Sequence, residues 1–146
     1  AYVAEIESAA RLATSYGELE YAIGAILDRA LADLWGEALA DDLELVAATA
    51  SVALGSYGYW TAGGLEQYAR DMGYEAVPLG WLGSLRDAAL RVVGADISGA
   101  VMGAIAAAYA GPAAGVTIGQ AAAVGALANS AGQATTEVWN AVTGSQ

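Results

Sequence analysis

Leu19, Ile23, Ile26, Ala30 and Leu34 follow one another at steps of three and four, the spacing that lines one face of an α-helix. Ser15 stands just before them with Glu18 three residues on, the pattern in which a serine hydroxyl and a carboxylate close a helix start reciprocally. A helix is predicted from there to about Leu39, after a short opening segment that carries Val3, Ile6, Ala9 and Leu12. Asp41, Asp42 and Glu44 mark a second start. Leu43, Val46, Ala50 and Leu54 carry that helix to about Leu54, and Leu45 and Val52 fall off its stripe, so it is expected to bury two sides.

Residues 55–64 read as a glycine-punctuated aromatic loop, and Leu65 to Met72 as a short helix closed by Gly73 at the position after the cap. Pro78 ends the next connection and biases Val77 towards extended backbone. From Leu79 a stripe of Leu82, Leu85, Ala89, Val92 and Val93 predicts an amphipathic helix with Arg86, Asp87 and Arg91 on its wet face; Gly94 is expected to close it and Asp96 to cap the next. No strand alternation competes with these periods, and the fold class is all-α: amphipathic helices followed by a Gly/Ala-rich apolar helical hairpin. The chain is read as a single domain, 1–146.

That hairpin is predicted where the charge stops. Residues 1–96 hold 15 of the 16 acidic residues and all five Arg, whereas residues 97–136 hold no charge, 15 Ala and seven Gly. Gly111-Pro112 divides this stretch into arms from Ile97 to Ala110 and from Ala113 to about Val142. Gly99, Gly103, Ala107 and Gly111 recur every four residues, as do Gly115, Gly119 and Ala123. On a helix such rows form smooth faces against which another backbone can lie closely. If both rows are packing faces between copies, Gly103→Leu and Gly119→Leu should each block assembly.

Composition sharpens this. Ala and Gly fill 56 of the 146 positions, Phe is absent, and an Ala methyl buries little area, so a bundle of this composition gains less from its own core than most domains of its length. Self-association would supply the missing burial. Cys, His and Lys are absent. Disulfides, thiolate or Ser-His-Asp catalysis, lysine Schiff bases and zinc sites built on nitrogen and sulfur are thereby excluded. No catalytic, cofactor-binding or metal residue is assigned: capping and the helix dipole suffice to explain Asp41, Asp42 and Glu44. The formal net charge of −11 argues against nucleic acid, whose phosphates are bound by basic residues. The five Arg read as ion-pair partners for the surplus acids. Tyr57, Tyr59, Trp60, Tyr68 and Tyr74 fall within 18 residues and read either as a contact patch or as aromatic filling of an Ala-rich core; Trp139 is a further contact candidate. Ala1 in first position is consistent with Met removal and with a cleaved leader alike.

With its small size, helices and apolar hairpin, residues 97–142 above all, the chain resembles coat proteins of archaeal viruses and conjugative-type pilins. The resemblance implies a structural subunit that assembles with copies of itself, in a virion or outside the cell, and its acidic balance departs from the basic pattern of DNA-wrapping coats. The alternative expectation is a secreted membrane-active protein, similar in its hairpin to bacteriocins, for which lipid is the partner. The first arm, at 1.5 Å per residue, spans only about 21 Å of a roughly 30 Å hydrocarbon layer, while the second is long enough to cross it.

Overall fold

The computed structural model describes residues 1–36, 39–74, 85–111 and 114–143. These contain no strand and six α-helices: α1 (Tyr2–Leu12), α2 (Tyr16–Asp33), α3 (Ala40–Tyr59), α4 (Leu65–Asp71), α5 (Leu85–Ala110) and α6 (Ile118–Thr143), with a π turn at Trp60–Gly64 joining α3 to α4. The turn at Val77-Pro78, the start of a helix at Leu79 and Leu82, and the break at Pro112 with Ala113 lie outside the described residues.

Helix α2 begins as its sequence requires. Ser15 Oγ accepts from the Glu18 N–H at 3.3 Å, and Glu18 Oε2 reaches back to the Thr14 N–H at 2.8 Å and hydroxyl at 2.7 Å. These bonds, the Thr14 hydroxyl first, hold the Glu18 carboxyl below the usual carboxylate range. Leu19, Ile23, Ile26 and Ala30 are all buried. The helix stops at Asp33, short of Leu39, and Gly36 follows in the left-handed region.

Helix α3 buries two sides. Val46, Ala50, Ala53 and Tyr57 enter one cluster with α1, α2 and the first half of α5; Leu45, Ala48 and Val52 enter another with Ala100, Ala104, Ala122 and Ala126 of α5 and α6. One side of α3 thus faces α1 and α2 and another faces the hairpin.

Two glycine boundaries are corrected. Residues 55–59 stay helical and the chain then passes through the π turn, because Tyr57 and Trp60 are buried and the area they bury offsets about 1 kcal/mol of helix propensity lost at each of Gly55 and Gly58. Gly94 does not end a helix: α5 runs without interruption from Leu85 to Ala110, with Val92, Val93 and Ile97 buried on either side of the glycine. Asp96 consequently caps nothing and lies buried in mid-helix. At Gly73 the expected closure is present, with its N–H on the Arg70 carbonyl at 2.9 Å and the Tyr74 N–H on Ala69 at 3.0 Å.

Helices α5 and α6 form the hairpin, but its second arm starts at Ile118, five residues later than Ala113. A capping box sets that start: Thr117 Oγ1 accepts from the Gln120 N–H, and Gln120 Oε1 accepts from the Thr117 N–H, both at 3.1 Å. Glu44 Oε1 accepts from the Gly119 N–H at 3.3 Å, so a carboxylate of α3 serves the amide end of α6.

Candidate assembly surface

The small residues of the hairpin determine which of its faces are free. A Cβ built on Gly103 would lie 2.7 Å from the carbonyl carbon of Ala121; one on Gly99 would lie 2.7 Å from that of Gly125, and one on Gly125 2.9 Å from that of Gly99. The backbones of α5 and α6 therefore meet along Gly99 and Gly103 on one side and Ala121 and Gly125 on the other, within a single chain. The row 115, 119, 123 is not this contact. Gly115 precedes the helix, Gly119 faces Glu44 and Ala123 is exposed. A shift of two residues turns a helix by about 200°, so the row through 121 and 125 is on another face from the one through 119 and 123. Of the remaining positions, Ala107 is half-buried beside the cluster shared with α3, and Gly111 takes φ +70° just past the end of α5.

With α6 on one side of α5 and α3 on another, the side turned away from α3 stays open. It carries Met102 and Ala106 of α5, and Val124, Leu127 and Ala128 of α6, all exposed, Leu127 to 70%; Tyr109, 89% exposed, lies instead beside Asp41 and Asp42 at the start of α3. No charged residue occurs between Ile97 and Thr136, so the hairpin's own exposed side chains in this stretch are uncharged, and the acids that border it, Asp41, Asp42 and Glu44, come from α3. Charges on either side of this stretch form a clamp between the two helices. Arg91 Nε and Nη2 donate to the two carboxylate oxygens of buried Glu137, each at 2.7 Å, and Gln133 Nε2 donates to Oε1 at 2.6 Å. Burial alone would raise the Glu137 carboxyl, but the hydrogen bonds from Arg91 and Gln133 outweigh it and hold the group below its ordinary value.

The aromatic residues divide. Tyr57 is buried and donates to the Ala13 carbonyl at 3.0 Å, which also accepts from Arg86 Nη2 at 2.6 Å. Trp60 is buried, with its indole N–H on Asp96 Oδ2 at 2.8 Å, and Ser56 donates to the same oxygen. Asp96 is 5% exposed, and its Oδ1 has no hydrogen-bond partner. Tyr68 reaches across from α4 to Thr135 Oγ1 of α6 at 2.9 Å; Trp139 and Tyr59 are exposed and Tyr74 half-buried. Tyr59, Trp60 and Tyr68 pack edge to face, with the Trp60 ring 4.8 Å from Tyr59 and 6.2 Å from Tyr68 between centroids, around a buried Trp60. Arg11, Arg29 and Arg91 pair with Glu7, Glu5 and Glu137, whereas Arg70 and Arg86 donate to backbone carbonyls.

Among the described residues, no group of three or more acidic side chains is placed to hold a metal ion. The features above define an all-α protein organised on a glycine-packed helical hairpin with one uncharged open face. Comparison with protein-family models, curated proteins and solved structures finds no match for this chain.

Proposed function

We propose that this protein is a non-enzymatic structural subunit that assembles with copies of itself into a coat or filament, in a virion or outside the cell. The observation that carries the reading is the open face of α5 and α6. A chain of net charge −11 leaves Met102, Val124 and Leu127 uncovered on helices that carry no charge between Ile97 and Thr136, which is where copies can approach with least opposition of acid to acid. The row through Gly99 and Gly103 contributes indirectly: with Ala121 and Gly125 it joins α5 to α6 and so builds the surface, while contact between copies falls to its outer side chains. Sedimentation velocity and electron microscopy across a concentration series test this. Polymers or shells are expected, and a monodisperse monomer at millimolar concentration would remove the reading.

A second reading is favoured by one specific feature. Helix α5 is long and apolar enough to cross a membrane, with a mean hydropathy of 1.5 over its most apolar window, and 44% of that window is buried inside the protein. A hairpin that opened from α3 would present it to lipid. Dye release from zwitterionic liposomes, with co-sedimentation, tests this alternative, which is lost if the vesicles neither leak nor bind the protein.

A further inference from the structure

Glu66 and Arg70 lie one turn apart on α4 with the glutamate first, the spacing and order in which helical ion pairs form best. Glu7 and Arg11 have the same arrangement on α1 and pair at 3.3 Å. Glu66 and Arg70 do not pair. Arg70 Nε donates to the Glu66 backbone carbonyl at 3.2 Å, and its guanidinium forms no ion pair among the described residues. The Glu66 side chain is turned towards the π turn instead. Its Oε2 lies 3.7 Å from the point a Cβ on Gly63 would occupy, and it is buried without a hydrogen-bond partner. A carboxylate oxygen held this way is unfavourable until a donor reaches it.

Both residues line one groove at the π turn, with a volume of about 630 Å³, which is within the range of small-molecule sites. Tyr59 supplies an aromatic wall: its Cε1 lies 2.6 Å from where a Cβ on Gly64 would stand, so the ring rests on that glycine. Charge then selects what the groove can hold. A chain of net charge −11 opposes a net anion, and a net cation would leave the guanidinium of Arg70 unpaired and repelled. A molecule that carries both charges answers both groups, its ammonium donating to Glu66 while its carboxylate or phosphate accepts from Arg70. We infer that this groove binds a small zwitterion with a primary ammonium group, either an α-amino acid or a phosphoethanolamine headgroup.

Calorimetry and ligand-observed NMR on the full chain at neutral pH test this with two zwitterions, L-phenylalanine and phosphoethanolamine. Each is compared with its single-charge analogues: 3-phenylpropionate and phenethylammonium for the first, methyl phosphate and ethanolammonium for the second. The zwitterion that fits is expected to bind at least about tenfold more tightly than either of its analogues, since each analogue leaves one protein charge unanswered. Which of the two binds distinguishes an amino-acid site from a headgroup site. Glu66→Gln should bring the bound zwitterion down to the affinity of its anionic analogue, and Arg70→Gln to that of its cationic one. Circular dichroism checks that both variants fold, and the analogue series on the parent protein decides the matter without them. Analogues that bind as tightly as the zwitterions would overturn the inference, as would folded variants of unchanged affinity. So would the absence of binding by either zwitterion at about 10 mM, a concentration that detects even millimolar affinity.

Discussion

A methyl group added at Gly103 has nowhere to go, because its position is 2.7 Å from the Ala121 carbonyl carbon, which belongs to the helix backbone of α6. Gly103→Ala should therefore force α5 from α6 and cost about 1–3 kcal/mol. Gly132, also in α6, has open space at its Cβ position, and Gly132→Ala should instead gain about 0.5–1 kcal/mol from helix propensity. Urea unfolding of the two variants checks the contrast, and equal losses at both would mean that the helices do not touch at Gly103. Gly119→Leu, which the four-residue row makes look as damaging as Gly103→Leu, has only Glu44 Oε1 nearby, 3.9 Å from its Cβ position. The sequence makes a close Gly/Ala contact legible but not its register on α6. Small residues are so dense there that rows through 119 and 123 and through 121 and 125 look alike until the start of the helix is known. Asp96 was hidden for another reason: its partners Ser56 and Trp60 come from a stretch whose glycines read as a loop. Asp96→Ala leaves the buried Trp60 N–H without its acceptor and should cost about 1–3 kcal/mol. Asp96→Asn keeps an oxygen for both donors and should lose less, as denaturation followed by tryptophan fluorescence would reveal; identical losses would show that the acceptor contributes nothing.

Between elements, the hairpin is held at its base by Arg91, Gln133 and Glu137, and this clamp has a pH signature. Glu137 titrates below its ordinary value in the folded chain, so in acid the unfolded chain takes up its proton first. The clamp's contribution is complete above the ordinary carboxylate range and is lost as pH falls through that range to the lower value Glu137 has when folded. Glu137→Gln should lower the urea midpoint at pH 7 and flatten its decline between about pH 5 and pH 3, where the unfolded-state carboxylate titrates. An unchanged slope would assign acid sensitivity to other groups. The same scale shows where sequence periodicity was sufficient. The buried stripe of α2 and the two-sided burial of α3 follow from spacing alone, since an apolar side chain has only the core to enter. Helix ends were harder to read. Glycine stops a helix where the chain then turns, as at Gly73, and is absorbed where flanking side chains are committed to a core, as at Gly94. That commitment is a tertiary fact. The Thr117 to Gln120 box is the local signal that places the start of α6, and the glycine rows running across it obscured it.

For the whole molecule, charge is concentrated on the elements before the hairpin: 15 of 16 acids fall before residue 97, the stretch from Ile97 to Thr136 contributes none, and the acids of α3 reach it only at its Glu44 and Asp41-Asp42 end. Two copies approaching through the uncharged face still repel through acids elsewhere on each, at distances that salt screens well. The Debye length falls from about 30 Å at 10 mM to about 8 Å at 150 mM ionic strength. Contacts made through the apolar face itself are insensitive to that change, or slightly strengthened by excluded salts such as sulfate. Association should therefore strengthen as salt is raised, with the concentration at which polymers first scatter light falling by about tenfold or more between those two conditions, a difference of about 1.4 kcal/mol in contact free energy. An interface built on ion pairs between copies would respond in the opposite direction, because screening weakens its attraction along with the general repulsion. Light scattering during a salt titration reads the sign directly. Polymers that dissolve as salt rises would place the contact on the acidic helices and their arginines, and would show that the open face of α5 and α6 is not where copies meet.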